Sequence, residues 1–154
     1  MARRVRLAAT RRAPRGKTGT SGARIVSRDL SAACVSIEED SDLWLVGFAD
    51  AEFNPTRHLL LQRAKSPQAQ DIALGLDGYH VELDDQGKSS YGGIKRFELF
   101  SDHAIVEFED DARSVFGDEL IVVEFTLREQ QLAQLRDCLG KIFKGYECFL
   151  DRSA

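Results

Sequence analysis

Short apolar segments, separated by residues that favour turns, follow one another along most of this chain and restrict its fold more than any other feature. Each segment is about five to eight residues long, which suits a strand better than a helix. In most of them apolar and polar side chains alternate, as expected when one face of a sheet packs on a core and the other meets solvent. We therefore predict seven strands, over residues 34–38, 42–48, 57–63, 79–83, 94–100, 104–109 and 119–126.

The C-terminal part of the chain has the period of a helix. Thr126 and Glu129 have the spacing of a capping box, in which each side chain satisfies a backbone amide where a helix begins. One long helix after closely spaced strands favours an α+β fold, an antiparallel β-sheet meander covered by a C-terminal helix, over a doubly wound fold. The face of this helix that would cover the sheet carries an apolar stripe: Leu132, Leu135, Leu139, Ile142 and Phe143.

Charge divides the chain into two parts. The first 28 residues carry nine basic side chains and no acidic one, whereas the rest of the chain carries 12 basic and 25 acidic residues. The first part is also rich in glycine, serine and threonine, so it cannot bury enough apolar surface to offset the entropy lost on ordering. We predict a disordered basic N-terminal tail at residues 1–28, dispensable for folding, and a single α+β domain over residues 29–154.

Composition and cysteine content restrict the cellular compartment in which this protein is expected. Hydrophobic residues make up 43% and charged residues 30% of the chain, which is typical of soluble globular domains. No apolar run is long enough to span a bilayer or to form the centre of a secretory signal. The three cysteines are an odd number without a Cys-x-x-Cys pair, which favours reduced thiols over a disulfide framework or a zinc site. We expect a cytoplasmic protein without a membrane partner.

The strand predicted at residues 79–83 has a clear alternation. Its odd-numbered residues are expected to face the core, which puts His80 and Glu82 on the opposite face. Residues 84–87 read Asp-Asp-Gln-Gly and favour a tight turn. This turn is predicted to close a hairpin with the strand at 94–100.

Metal binding is one alternative function for this region. Asp77, His80, Glu82 and Asp84 include three residues on one face of a strand, and a small metal-dependent hydrolase would use such side chains as ligands. Successive side chains on one face lie roughly 7 Å apart, which is awkward for a tetrahedral site. A nucleic-acid-associated regulator that acts through the basic tail is a second alternative, although the tail has no interleaved aromatic residues. No nucleophile with an adjacent base is evident, so no catalytic residue is assigned.

Six short motifs occur in order between residues 59 and 99: Leu61-Gln62-Arg63, Gln70-Asp71, Gly75-Leu76-Asp77-Gly78-Tyr79, Asp85-Gln86-Gly87, Tyr91-Gly92-Gly93-Ile94 and Phe97-Glu98-Leu99. In this order and spacing they resemble the immunity protein 10 family, predicted antidotes of bacterial polymorphic toxin systems. The apolar strand and helix at 121–143 fit the same family, so the resemblance covers about residues 33–145. None of the motifs is catalytic, and their order carries the resemblance.

The resemblance implies a protein that is not an enzyme and needs no cofactor. Such a protein binds a cognate toxin domain, encoded nearby, in the cytosol of the producing cell and of its kin. Eleven acidic residues against four basic ones between Asp77 and Asp118 would steer it towards a basic toxin such as a nuclease. From the resemblance and this charge pattern, we predict that the exposed side of the hairpin binds the toxin through Asp77, His80, Glu82, Asp84, Asp85 and Tyr91.

Overall fold

The computed structural model describes residues 27–154, and the strands of this part form two five-stranded sheets that share one hydrophobic core. No helix in this part of the chain is long and apolar enough to cross a membrane. The elements, in chain order, are β1 (Ser27–Ser31), β2 (Cys34–Glu39), β3 (Leu43–Ala49), β4 (His58–Ala64), α1 (Ala69–Ala73), β5 (His80–Leu83), β6 (Asp85–Tyr91), β7 (Ile94–Leu99), β8 (His103–Phe108), α2 (Asp110–Phe116), β9 (Leu120–Glu124), α3 (Glu129–Ile142) and β10 (Phe149–Asp151).

The first sheet is an antiparallel meander in which β2, β3, β4, β5 and β6 lie side by side in chain order. Alternate residues of its strands point into the core. Val46, Leu61 and Val81, for example, are neighbours across three strands and are fully buried. This sheet confirms the predicted meander, and the bounds of β2 to β5 agree with the predicted strands to within one residue at each end.

The second sheet has the strand order β1-β9-β8-β7-β10 and is mixed, because the short strands β1 and β10 add to its two edges in parallel. The sequence predicted one sheet, but the chain leaves the first sheet after β6. Gly92 and Gly93 make this crossing with φ values of 76° and 96°. A Cβ at residue 93 would also lie only 3.0 Å from the Cβ of Ala112, so this position requires glycine for both reasons.

The predicted hairpin between residues 79–83 and 94–100 is wrong. β5 pairs instead with β6, which contains most of the predicted turn, and the chain reverses at Asp84. Asp84 has φ 64°, a left-handed conformation that aspartate tolerates. Its carboxylate accepts hydrogen bonds from the Arg57 side chain at 3.1 and 3.2 Å and from the His58 amide at 3.2 Å. Polar side chains at a sheet edge hid β6 from the sequence analysis, because they do not alternate with apolar ones.

The C-terminal helix α3 covers the core side of the first sheet, where it packs against β2, β3 and β4. It begins at Glu129, two residues after the start implied by a capping box at Thr126, and its first turn is capped differently. The side-chain oxygen of Gln131 accepts a hydrogen bond from the Arg128 amide at 3.0 Å, so the capping pair lies two residues beyond the one predicted at Thr126. The helix buries residues of the predicted apolar stripe: Leu135, Leu139 and Ile142.

β1 lies across the predicted boundary between tail and domain. All five of its residues pair with β9, and Leu30 is 1% exposed within the core. The folded part therefore includes Ser27 and Arg28, which the sequence analysis assigned to the tail. The rest of the predicted tail, residues 1–26, lies outside the described residues.

A chain that starts at Ser27 should keep the stability of the full chain, because it retains all of β1 and removes only residues without apolar periodicity. We expect its melting temperature, followed by circular dichroism, to stay within about 4 °C of that of the full chain, which corresponds to roughly 1 kcal/mol. A chain that starts at Ala32 lacks β1 and serves as the control, with a lower melting temperature. A broad, uncooperative transition of the Ser27 chain would contradict the prediction.

The cysteines have a packing role. All three are free thiols, and Cys34 and Cys138 are buried. Burial raises the pKa of Cys138 to about 11 and raises the pKa of Cys148 above its usual value. Thiols with raised pKa values carry little thiolate near neutral pH and are poor nucleophiles.

Candidate functional site

Tyr91, one of the predicted binding residues, lies between two grooves and is 46% exposed. The first groove, called the sheet groove below, lies on the outer face of the first sheet and is lined there by Gln62, His80 and Glu82. The second, called the glycine groove, is lined by the two glycines that follow β6 and by Tyr146. Each groove has a volume of about 530 Å³, large enough to receive side chains of another molecule.

Tyr79 fixes the backbone between the two grooves. Its side chain is 2% exposed, its hydroxyl accepts a hydrogen bond from the Ile94 amide at 3.0 Å, and its carbonyl accepts one from the Gly92 amide at 2.9 Å. Burial raises the pKa of this phenol, so it remains protonated. Tyr79 therefore joins the Gly-Leu-Asp-Gly-Tyr motif to the Tyr-Gly-Gly-Ile motif, which gives a physical reason for their occurring together.

Tyr146 forms a wall of the glycine groove and is 42% exposed. Its ring packs edge-on against Tyr79, with 4.8 Å between the ring centroids, and the Arg63 guanidinium lies 5.5 Å from its centroid. A Cβ at Gly78 would collide with the Tyr146 hydroxyl, which explains the glycine before Tyr79. The sequence analysis missed Tyr146 because it follows α3 in a turn and belongs to no periodic pattern.

Two of the predicted binding residues are engaged within the fold. The side chain of Glu82 is 9% exposed, and its Oε2 lies 2.8 Å from Nε2 of His58. The Asp84 carboxylate pairs with Arg57 and is 15% exposed. The expectation that both carboxylates lie exposed on a hairpin is therefore wrong, because residue 82 faces the sheet groove and residue 84 forms the turn itself.

The other four predicted residues are accessible. Asp85 is exposed, Tyr91 is half-exposed, and Asp77 and His80 are partly exposed. The His80 ring packs edge-on against Tyr91, with 4.8 Å between the centroids. Burial lowers the pKa of His80, so the ring is neutral at pH 7. Asp77 lines the glycine groove and His80 the sheet groove, so these two residues lie on either side of Tyr91, whereas Asp85 lies at the other end of β6.

A short exposed apolar segment, residues 72–76, adjoins both grooves. Ile72 and Leu74 are 55% and 63% exposed. Leu76 lines the sheet groove and Gly75 lines the glycine groove. The sequence did not indicate this segment, because exposure cannot be read from so short a run. Grouped exposed apolar side chains are typical of surfaces that bind other proteins.

The residues considered as metal ligands do not come together. Within residues 27–154, no three histidine, cysteine, aspartate or glutamate side chains are placed to hold a metal ion. Glu82 contacts His58, and Asp84 turns towards Arg57. The metal-dependent alternative therefore has no ligand set in the described part of the chain.

A family model matches most of the described domain. The model is described as Immunity protein 10 and matches residues 30–133, from β1 into α3. The matched range includes Tyr91, the sheet groove and the apolar segment, whereas Tyr146 lies beyond it. Comparison with curated proteins gives no match.

Proposed function

Since the chain belongs to the immunity protein 10 family, we propose that it binds and neutralises a cognate bacterial toxin domain in the cytosol. The family match carries this proposal. The exposed apolar segment and the two grooves beside Tyr91 support it, because an inhibitor needs a rigid surface onto which another protein can pack. In this function the protein acts by binding alone, without catalysis and without a cofactor.

We propose that the toxin-binding surface is centred on Tyr91. An aromatic ring that is half-exposed and flanked by grooves is the kind of residue that carries much of the binding energy in protein interfaces. The apolar segment 72–76 extends this surface, and Glu82 supports it from within the fold. Of the other predicted residues, Asp77 and His80 line the grooves beside the ring, whereas Asp84 and Asp85 lie at the opposite end of the β5–β6 hairpin.

The charge of the domain supports a basic toxin, such as a nuclease. From residue 29 onward the chain carries 25 acidic and 12 basic residues. An acidic partner attracts a basic one over distances of about a Debye length, roughly 8 Å at physiological salt, and thereby accelerates association. The exposed carboxylates would then contribute mainly to the association rate, and the apolar contacts to the lifetime of the complex.

Co-expression with the toxin domain encoded beside this chain tests the proposal. We expect the full chain to restore growth of cells that express this toxin domain. Protection requires a dissociation constant of roughly nanomolar or below, which corresponds to about 12 kcal/mol of binding free energy. Calorimetry with a catalytically inactive toxin measures that affinity directly. A toxin domain from an unrelated system is the control and should remain toxic. If the neighbouring toxin kills cells despite the chain and does not bind it, the proposed function is wrong.

A further inference from the structure

The charged side chains of the sheet groove are predominantly acidic. Asp42, Asp71 and Glu82 line it, and Arg63 is the one lining cation among residues 27–154. The Arg63 guanidinium donates hydrogen bonds to the carbonyls of Ile142 at 3.0 Å and Lys144 at 2.5 Å, so these donors are engaged outside the groove lining. Three lining carboxylates against this one cation leave the groove with an excess of negative charge.

Two buried polar atoms of the groove accept no hydrogen bond from the described residues. They are the side-chain oxygen of Gln62 and Nδ1 of His80. Gln62 and His80 are direct partners across β4 and β5, so the two atoms belong to neighbouring side chains on one face of the sheet. In the tautomer that carries its proton on Nε2, the neutral His80 ring presents Nδ1 as an acceptor. Buried acceptors without donors are costly, and a ligand that supplies donors would remove this cost.

The aromatic wall of the groove restricts the ligand further. Tyr91 packs edge-on against His80, lines the groove and leaves nearly half of its surface exposed. An aromatic ring beside carboxylates suits a planar cation, which can lie over the ring and donate to the surrounding oxygens. Arginine provides five N–H donors in one plane and no acceptor, whereas lysine is a compact and strongly hydrated charge.

From these three observations, we infer that the sheet groove binds an arginine side chain of the toxin. The guanidinium lies beside Tyr91 and donates hydrogen bonds to Gln62 and His80, with Asp42, Asp71 and Glu82 supplying the opposite charge. This inference rests on the proposed function for the source of the arginine. The chemistry of the groove itself depends only on this chain.

Titration of the full-length, ¹⁵N-labelled protein with Nα-acetylarginine amide tests the groove without a toxin. We expect saturable shifts of the Gln62 side-chain and His80 ring resonances, with a dissociation constant on the order of millimolar for so small a ligand. Nα-acetylcitrulline amide has nearly the same shape but no charge, and it should bind at least about fivefold more weakly. Gln62→Met removes one acceptor and should weaken arginine binding about tenfold. Gln130 is exposed on α3 and does not line the groove, so Gln130→Met is the matched control, with affinity within about twofold of the wild type.

Several results would overturn the inference. Shifts that do not saturate, equal binding of the citrulline compound, or equal binding by Gln62→Met would each show that the groove does not recognise a guanidinium. Residues 1–26 carry eight basic side chains and no acidic one, so they are an alternative source of the cation. If arginine amide binds only after these eight residues are replaced by glutamine, the groove belongs to the chain's own basic segment and not to a toxin.

Binding and neutralisation measurements with the toxin distinguish this inference from the proposed function. Gln62→Met should weaken toxin binding by a factor similar to its effect on arginine amide. Neutralisation with an affinity that Gln62→Met leaves unchanged would overturn the arginine assignment and keep the proposed function. Arginine binding by a chain that fails to neutralise its neighbouring toxin would overturn the proposed function instead.

Discussion

Glu82→Lys is expected to lower the melting temperature by about 10–15 °C, whereas Asp85→Lys should leave it within about 2 °C of the wild type. The two residues lie three positions apart and carry the same charge. The difference comes from burial, because the Glu82 side chain is 9% exposed and Asp85 is exposed. A circular dichroism melt of the three proteins at pH 7 measures both effects.

The physical reason lies in the partner of Glu82. Its carboxylate is 2.8 Å from Nε2 of His58, and removal of one member of a buried hydrogen-bonded pair costs about 3–5 kcal/mol. Lysine would replace this carboxylate by an ammonium, which cannot accept a hydrogen bond from the His58 ring N–H and which buries a positive charge. Asp85 instead accepts a hydrogen bond from the Gly87 amide at 2.8 Å at the exposed start of β6, and surface charges of this kind contribute little to stability.

Glu82→Gln refines this test, because the amide keeps the shape and can still hydrogen bond to His58. It should lose less stability than Glu82→Lys. Equal melting temperatures for Glu82→Lys and Asp85→Lys would mean that the side chain of residue 82 is not buried as described. The pair also bears on interface mapping, since a loss of toxin binding in Glu82→Lys would combine a folding defect with the loss of a carboxylate that lines the sheet groove.

Periodicity predicted the elements that have one buried and one solvated face. The strands β4, β8 and β9 alternate in burial because one face packs on the core, and the stripe of α3 recurs because one side of the helix covers the sheet. β3 was predicted from its dense apolar run, and five of its seven residues are buried. β6 and β10 were missed for the opposite reason, since each is an edge strand whose side chains are largely exposed. β1 was hidden by its basic neighbours, although Leu30 is buried. The division into two sheets depends on the crossing at Gly92 and Gly93. The Tyr-Gly-Gly-Ile motif showed where the chain could turn, but it did not show that the chain passes there into a second sheet.

The candidate site was predictable only in part. Tyr91 could be found because an aromatic residue beside two glycines is conspicuous in the sequence. The hydrogen bond between Glu82 and His58 could not be predicted, because it joins residues 24 positions apart through the pairing of β4 with β5. The role of Tyr146 was harder still to predict from the sequence, because its packing on Tyr79 joins the turn after α3 to the start of β5. The order of the motifs indicated the family. Which residues of these motifs are exposed depends on the pairing of strands that are distant in sequence.

Tyr91→Ala is expected to raise the dissociation rate of the toxin complex about 100-fold, which corresponds to about 2.7 kcal/mol. The ring is half-exposed in the free protein and lies between two grooves, so its burial in a complex would remove apolar surface from water at the centre of the interface. The association rate should change by less than about threefold, because the substitution alters no charge. Surface plasmon resonance with an inactive toxin variant separates the two rates.

Two variants make the Tyr91 result specific. Tyr91→Phe keeps the ring, so it should stay within about threefold of the wild-type dissociation rate unless the hydroxyl itself forms a bond. Leu150→Ala removes an apolar side chain that is 37% exposed on β10, outside the lining of both grooves, and should leave both rates unchanged. Tyr91→Ala should also melt within about 4 °C of the wild type, since an exposed ring contributes little to the core. A large drop in melting temperature would assign the ring to the fold, and an unchanged dissociation rate with an intact fold would place the interface away from Tyr91.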